Sequence, residues 1–359
     1  MAVALSSVLT DTRAPVPPAR VLIVDDSVVA RSVLGRMVDA TRRFRVEAAL
    51  SDVPAALDYL ETHRVDIILL DIDMPGIDGL TALPDVIAAG KGARVLIVSS
   101  SADEGAAVTV QALALGAADT LVKPGIGTFG GRFAEVLEER LSRLVEVHFD
   151  SSPVPNPTTS FGPVGTPADF DIVAIGASTG GIHALSQFLR AIPSSFQVPI
   201  LVTQHLPMSF MGYFAAQLAV LGSRPCEVAS DRMRIRPGRI IVAPGNAHMR
   251  VAKMSDGWSV RLNDEKSLSG CMPSVDPMFE SLAEVFGKRA LAVVLSGMGR
   301  DGAEGAKRLV EAGAKILVQD RASSVIWGMP GAVANAGRAS AVLRPDEIGR
   351  LIGRGRAGA

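Results

Sequence analysis

Five polar residues stand at the ends of short apolar runs in the first third of the chain. Asp25 and Asp26 follow Val21–Val24, Asp71 follows Ile67–Leu70, Ser99 follows Val95–Val98, and Lys123-Pro124 follow Thr120–Val122. If those runs are strands of one parallel sheet, their carboxyl ends share a rim, which is where open α/β sheets bind ligands. Three crowded carboxylates repel one another and call for a cation. Hard oxygen donors with open positions suit Mg²⁺, so Asp25, Asp26 and Asp71 form a candidate metal site. Asp71 is then placed to attack a phosphoryl group, with Ser99 hydrogen-bonding its oxygens and Lys123 pairing with them as a point charge. Pro124 would fix the turn that aims the lysine, with a cis bond as one way of doing so. Any one aspartate after a strand can be a turn or helix-cap residue. That reading does not explain Asp-Asp, Asp, Ser and Lys at successive strand ends.

A second set of reactive residues follows in the rest of the chain. Gly176-Ala177-Ser178-Thr179-Gly180-Gly181 lies between the apolar run 170–175 and a helical pattern over 182–189. Gly-x-Ser-x-Gly at a strand-to-helix turn holds a serine on a sharp, exposed elbow. Backbone N–H groups at the helix start then face a developing oxyanion. A serine nucleophile needs a base, and His205 follows the run 199–203; the histidine needs an orienting carboxylate, and Asp301 follows 291–296 in SGMGRDGAEG. Two rival folds fit less well. GASTGG is one change from the dinucleotide fingerprint, but Ser178 replaces the glycine at which backbone must approach a pyrophosphate. The ribose-binding acid expected about 20 residues on is also missing from 194–206. In an α/β-hydrolase the order is Ser, acid, His, whereas here it is Ser, His, Asp, an independent solution to the same geometry. Taken singly, Ser178 reads as a helix cap, His205 as a core histidine and Asp301 as a turn residue. His248, in GNAHM, is a lesser base candidate with loop packing as its default role.

The elements that must carry these residues alternate. Strands at 21–24, 45–50, 67–70, 95–98 and 120–122 interleave with helical patterns at 27–40, 53–62, 80–89, 104–115 and 131–147. Five βα units with continuous apolar strands imply a parallel sheet covered on both faces. Residues 150–168 contain five prolines and no basic residue, the composition of an extended linker. Alternation resumes at 171 with strands near 172–175, 199–203, 239–243, 291–296, 315–318 and 340–343. A hairpin is expected over 246–264, with its turn at Ser255-Asp256-Gly257. No internal repeat is evident. The expected division is a disordered lead-in at 1–18, a first domain at 19–149, a linker at 150–168, a second domain at 169–352 and a flexible tail at 353–359.

Composition bounds what such a chain does. At 359 residues, two or three domains are expected, each able to bury its own core. The formal net charge of −1 draws the protein neither to nucleic acid nor to anionic lipid. Cys226 and Cys271 give no disulfide framework and no zinc spacing, which points to a reducing, cytoplasmic setting. No apolar run approaches the roughly 18 residues needed to span a bilayer, and the first 18 residues do not read as a signal peptide.

Residues 20–148 resemble the receiver domain of bacterial two-component response regulators through VLIVDDS, LLDIDMPGIDGL, VLIVSS and LVKP. The resemblance implies a flavodoxin-like (βα)₅ fold. It also implies Asp71 as phospho-acceptor, Asp25 and Asp26 with it at Mg²⁺, Ser99 and Lys123 at the phosphoryl group, and a histidine kinase as phosphodonor. Residues 170–345 resemble the chemotaxis protein-glutamate methylesterases through IGASTGG, QHLPMSF, IIVAPGNAHM, PSVDPMF, LSGMGRDG and QDRASSVIWGMPGA. That resemblance implies a doubly wound, mostly parallel α/β domain. Its catalytic residues would be Ser178, His205 and Asp301, with the Met298 N–H in the oxyanion hole and Thr179 beside the serine. The implied activity is hydrolysis of glutamate methyl esters on methyl-accepting chemoreceptors, with deamidation of certain receptor glutamines, and no cofactor for the ester chemistry. Two positions depart from the pattern. Thr120 stands where many receivers carry an aromatic that turns inward on phosphorylation, and Met272 stands where the esterases often carry arginine. A non-catalytic adaptor that only binds receptors is the competing reading, and an intact Ser/His/Asp set speaks against it.

Overall fold

The computed structural model describes residues 17–99, 105–123, 131–145 and 170–354. Most of the expected lead-in, the linker 150–168, Pro124 and residues 355–359 lie outside the described residues. The first sheet takes its strands β1 (Ala19–Val24), β2 (Phe44–Leu50), β3 (Ile67–Asp71), β4 (Arg94–Ser99) and β5 (Asp119–Val122) in the order β2-β1-β3-β4-β5. Every pairing is parallel. β1 and β3 are neighbours, so Asp25 and Asp71 leave the same rim. Helices α1 (Val28–Asp39), α2 (Val53–Thr62), α3 (Gly79–Gly90), α4 (Gly105–Leu115) and α5 (Gly131–Val145) follow the strands in turn. Three of them start on side-chain caps. Ser27, Asp52 and Asp78 accept from the N–H groups of Ala30, Ala55 and Thr81, satisfying donors that the first helical turn leaves unpaired.

The second sheet has seven strands: β6 (Ile172–Ala177), β7 (Ile200–Gln204), β8 (Cys226–Val228), β9 (Ile240–Val242), β12 (Ala290–Val294), β13 (Lys315–Gln319) and β14 (Ala341–Leu343). Their order is β14-β13-β12-β6-β7-β9-β8, with all pairs parallel. The order reverses direction between β6 and β12, the kind of switch point at which doubly wound sheets open a crevice. Helices α6 (Gly181–Arg190), α7 (Met208–Gly222), α8 (Val275–Val285), α9 (Ala303–Glu311), α10 (Gly328–Asn335) and α11 (Pro345–Arg354) cover the faces. The expected hairpin forms from β10 (His248–Met254) and β11 (Gly257–Asn263), paired antiparallel. Strand β8 was not expected, because three partly exposed edge residues leave no apolar run to detect. The last helix continues through Arg354, past the expected start of the tail.

Helix α4 joins the two halves. Its sequence GAAVTVQALAL is apolar nearly all round, and a helix of that kind is covered on more than one side. One side packs on its own sheet and another on α6 and α7, so a single apolar cluster runs from Val110 and Leu113 to Ile182, Leu185 and Met211. Polar contacts flank it. His183 Nδ1 lies 3.2 Å from the Ala114 carbonyl, and Arg94 Nη2 donates to the Ser324 carbonyl at 3.0 Å.

Candidate active site

Strand β6 ends at Ala177, and α6 starts at Gly181, so Ser178 occupies the turn between them. Backbone bonds fix that turn from three sides. Ser178 N–H donates to the Ser296 carbonyl at 3.0 Å, Gly181 N–H donates to the Ser178 carbonyl at 2.8 Å, and Gln204 Nε2 donates to the same carbonyl at 2.8 Å. Gly180 is left-handed, with φ of 76°, and a Cβ there would lie 2.4 Å from Val325. Only glycine fits a position that is both left-handed and this close to a neighbour. Gly297 is constrained by crowding alone: a Cβ there would sit 2.3 Å from Met329 Sδ and 2.9 Å from Ser178 Cβ. The glycines of both loops thus let the serine turn and the Ser296–Gly302 loop approach each other.

His205 follows β7, and its N–H donates to the Ala177 carbonyl at 3.2 Å, which places it beside the serine turn. Its Nε2 lies 2.8 Å from Asp301 Oδ2. A carboxylate cannot donate, so Nε2 carries the proton and Nδ1 is left as the basic nitrogen. Asp301 is buried and heavily hydrogen-bonded. Ser274 Oγ donates to Oδ1 at 2.6 Å, Val275 N–H to Oδ2 at 2.7 Å and Gly302 N–H to Oδ1 at 3.1 Å. Burial alone would raise the Asp301 carboxyl. The bonds from His205, Ser274 and Val275 outweigh it and hold this group well below the usual carboxylate range. For His205, burial opposes the charged ring, but the Asp301 bond and the neighbouring Cys271 side chain prevail, and its pKa is pushed up to about 9. Behind the pair, Asp276 is pushed up to about 7. Burial is the main cause, a bond from Gly305 N–H opposes it, and the Asp301 charge adds to it.

Ser178, Thr179, His205 and Met298 line one cleft of about 990 Å³ together with Cys271. Among the described residues, no hydrogen bond joins Ser178 Oγ to His205; such contacts commonly tighten only when substrate is seated. Neither Thr179 N–H nor Met298 N–H donates to a backbone carbonyl among the described residues, so both are available to an oxyanion. His248 is buried away from the cleft. Its Nδ1 accepts from Ser274 N–H at 2.9 Å, and its Nε2 lies 2.7 Å from the Glu265 carbonyl. It therefore holds the segment that carries Ser274 to Asp301, a packing role and not that of a base. Met272 is exposed.

The first half of the chain contributes to the same cleft. Thr109 and Leu113 of α4, Thr120 and Val122 of β5, and Phe133 and Arg140 of α5 line it together with the serine side. Asp25, Asp71 and Lys123 meet on the rim of that same half. Lys123 Nζ lies 2.7 Å from Asp25 Oδ2 and 2.7 Å from Asp71 Oδ2. Asp25 and Asp71 are buried and Asp26 is exposed, and their ligand atoms lie within 4.8 Å of one another. An all-carboxylate donor set this compact fits a hard divalent cation. Burial raises the Asp71 carboxyl, Lys123 opposes the shift and Asp25 adds to it. Ser99 is buried at the end of the neighbouring strand.

Sequence reasoning assigned no role to Cys271, Ser274, Val275 or Gln204, although Gln204, Ser274 and Val275 lie in the motifs QHLPMSF and PSVDPMF. Gln204 carried a signal, since it precedes the histidine at the same strand end. Cys271 and Ser274 lie in a loop without periodicity, so nothing local announced their roles.

A family model for the CheB methylesterase matches residues 173–352, and one for the response regulator receiver domain matches residues 21–127. A protein-glutamate methylesterase/protein-glutamine glutaminase of Maricaulis maris is 37% identical over 92% of this chain and 94% of its own. A second, from Caulobacter vibrioides, is 42% identical over 93% of this chain and 97% of its own. The crystal structure of the Thermotoga maritima CheB methylesterase catalytic domain superposes with a TM-score of 0.50 at 32% identity, covering 51% of this chain and 97% of that one. With a receiver domain ahead of a methylesterase domain, and relatives matched nearly end to end, the chain belongs to the protein-glutamate methylesterase/protein-glutamine glutaminase family.

Proposed function

We propose that this chain is a phosphorylation-activated serine hydrolase. It removes methyl groups from glutamate methyl esters on methyl-accepting chemoreceptors, and deamidates specific receptor glutamines, in chemotactic adaptation in the cytoplasm. The observation that carries this reading is His205, paired with the buried Asp301, in the same cleft as Ser178, with receiver residues lining that cleft as well. Ser178 Oγ attacks the ester carbonyl while its proton passes to His205 Nδ1. The N–H groups of Thr179 and Met298 receive the oxyanion. His205 then gives the proton to departing methoxide, and methanol leaves. A water, deprotonated by the same nitrogen, resolves the acyl-enzyme to free glutamate and Ser178. With glutamine, ammonia leaves in place of methanol. Asp301 stays ionised and holds the ring.

Residues 19–149 serve as the receiver, 150–168 as the linker and 169–352 as the catalytic domain. A histidine kinase of the chemotaxis pathway donates the phosphoryl group to Asp71. Asp25, Asp26 and Asp71 would hold Mg²⁺, which supplies charge neutralisation at the phosphoryl oxygens, and Ser99 and Lys123 would bind those oxygens. With Thr120 in place of an aromatic, the signal runs through the α4 packing surface. Unphosphorylated, the receiver wall limits entry to the cleft.

The test is methanol release from methylated receptor membranes, with and without Mg²⁺ and a small-molecule phosphodonor. Release that rises with phosphodonor is expected; no release from folded protein across a range of receptors would favour the adaptor. The same assay checks the base. Protonated His205 cannot accept the serine proton, so kcat/KM should climb with pH and level off near a pKa of about 9. A profile that stays flat between about pH 6 and about pH 10 would remove His205 from that role.

A further inference from the structure

We propose that His205 and Cys271 form an inhibitory site for a thiophilic divalent cation such as Zn²⁺, which shuts the esterase by occupying its base. Ligand atoms of His205, Cys271 and Asp301 lie within 4.8 Å of one another. This set differs in kind from the carboxylates of the receiver rim. A thiolate and an imidazole are the donors that select zinc over magnesium.

The hydrogen bonding already present favours the site. His205 Nε2 carries a proton toward Asp301 Oδ2 at 2.8 Å, which leaves Nδ1 as the metal-binding nitrogen. A carboxylate behind the ring fixes its tautomer and direction and raises its basicity, the arrangement that supports histidine at zinc centres. Asp301 is itself locked by Ser274 and Val275, so the ring cannot swing away cheaply. Cys271 is partly exposed, and it lines the cleft together with Ser178 and His205. At about 990 Å³ the cleft has room for water to complete a tetrahedral shell.

Binding displaces the Cys271 thiol proton, and any proton on Nδ1, to solvent. No oxidation state changes. While the metal is held, Nδ1 cannot take the proton of Ser178. The inhibition rests on the proposed hydrolase reading, whereas metal binding by His205 and Cys271 does not require hydrolysis to be the activity.

The experiment uses the full chain in excess Mg²⁺, which occupies the receiver carboxylates. Titration with Co²⁺, a spectroscopic stand-in for zinc, should give a thiolate-to-cobalt charge-transfer band in the wild type and in Cys226→Ser, and none in Cys271→Ser. In parallel, Zn²⁺ should slow alkylation of Cys271 by iodoacetamide in the unmutated protein, a readout that does not depend on any variant folding. For methanol release, each protein is compared with its own metal-free rate. Cys271→Ser should raise the zinc concentration for half-inhibition by about tenfold or more, since even the loss of an outer-shell partner costs that much. Absence of the band in wild type, its persistence in Cys271→Ser, or alkylation of Cys271 indifferent to zinc would each overturn the proposal.

Discussion

Ser178→Ala should lower methanol release by about 10⁴-fold or more, almost entirely in kcat, because catalytic triads lose most of their advantage with the nucleophile. The fold should be nearly untouched. Ser178 is partly exposed, its hydrogen bonds among the described residues run through its backbone, and the oxygen removed leaves no buried partner unpaired there. The His205–Asp301 contact also does not depend on it. The change in unfolding free energy should therefore stay within about 0.5 kcal/mol, as for substitutions away from packed cores and buried networks. Paired measurements of methanol release and urea unfolding separate the two effects. A stable variant with a rate close to wild type would mean that another group attacks the ester.

Asp71→Asn should erase the response to phosphodonor. Couplings between distant sites typically amount to about 1–3 kcal/mol, or about 5–150-fold, and that factor should fall to one in the variant. The amide cannot form the acyl phosphate. In the wild type the arriving group carries a charge of about −1.5 to −2. It enters a rim where Lys123 already bridges Asp25 and Asp71 at 2.7 Å each. That lysine must be shared or re-aimed, and this is the local event that the rest of the receiver can read. The comparison is methanol release with and without phosphodonor, in Mg²⁺, for both proteins. An Asp71→Asn enzyme that still accelerates on phosphodonor would break the link drawn here between rim and cleft.

Much of this architecture was legible because parallel sheets put chemistry at strand ends. Asp71, Ser99, Lys123 and His205 each terminate or follow a short apolar run, and a run with a polar last residue can be read from one line of sequence. The serine turn was legible for a related reason: its glycines mark places where chain must pass close to chain. What stayed hidden depends on contacts distant in sequence. Ser274 and Val275 reach Asp301 because the start of α8 sits beneath the 296–302 loop, and no local pattern encodes that placement. Cys271 arrives on the segment that leads into α8. The docking of α4 on α6 and α7 left one overlooked trace. A helix in a two-faced sheet domain ordinarily shows a polar outer side, and GAAVTVQALAL lacks one.

That docked helix has a consequence for what the receiver can sense. Helix α4 leads away from the strand ending at Ser99, and it packs against the helix that begins three residues after Ser178 and the one that begins three residues after His205. Free-energy coupling runs equally in both directions. If a phosphoryl group on Asp71 eases entry of a receptor segment into the cleft, a segment already seated there must strengthen the hold on the phosphorylated state by the same factor. The phosphorylated form would then be most favoured where unprocessed esters are plentiful and less favoured as they run out, so that the balance of the signal is set against the work remaining.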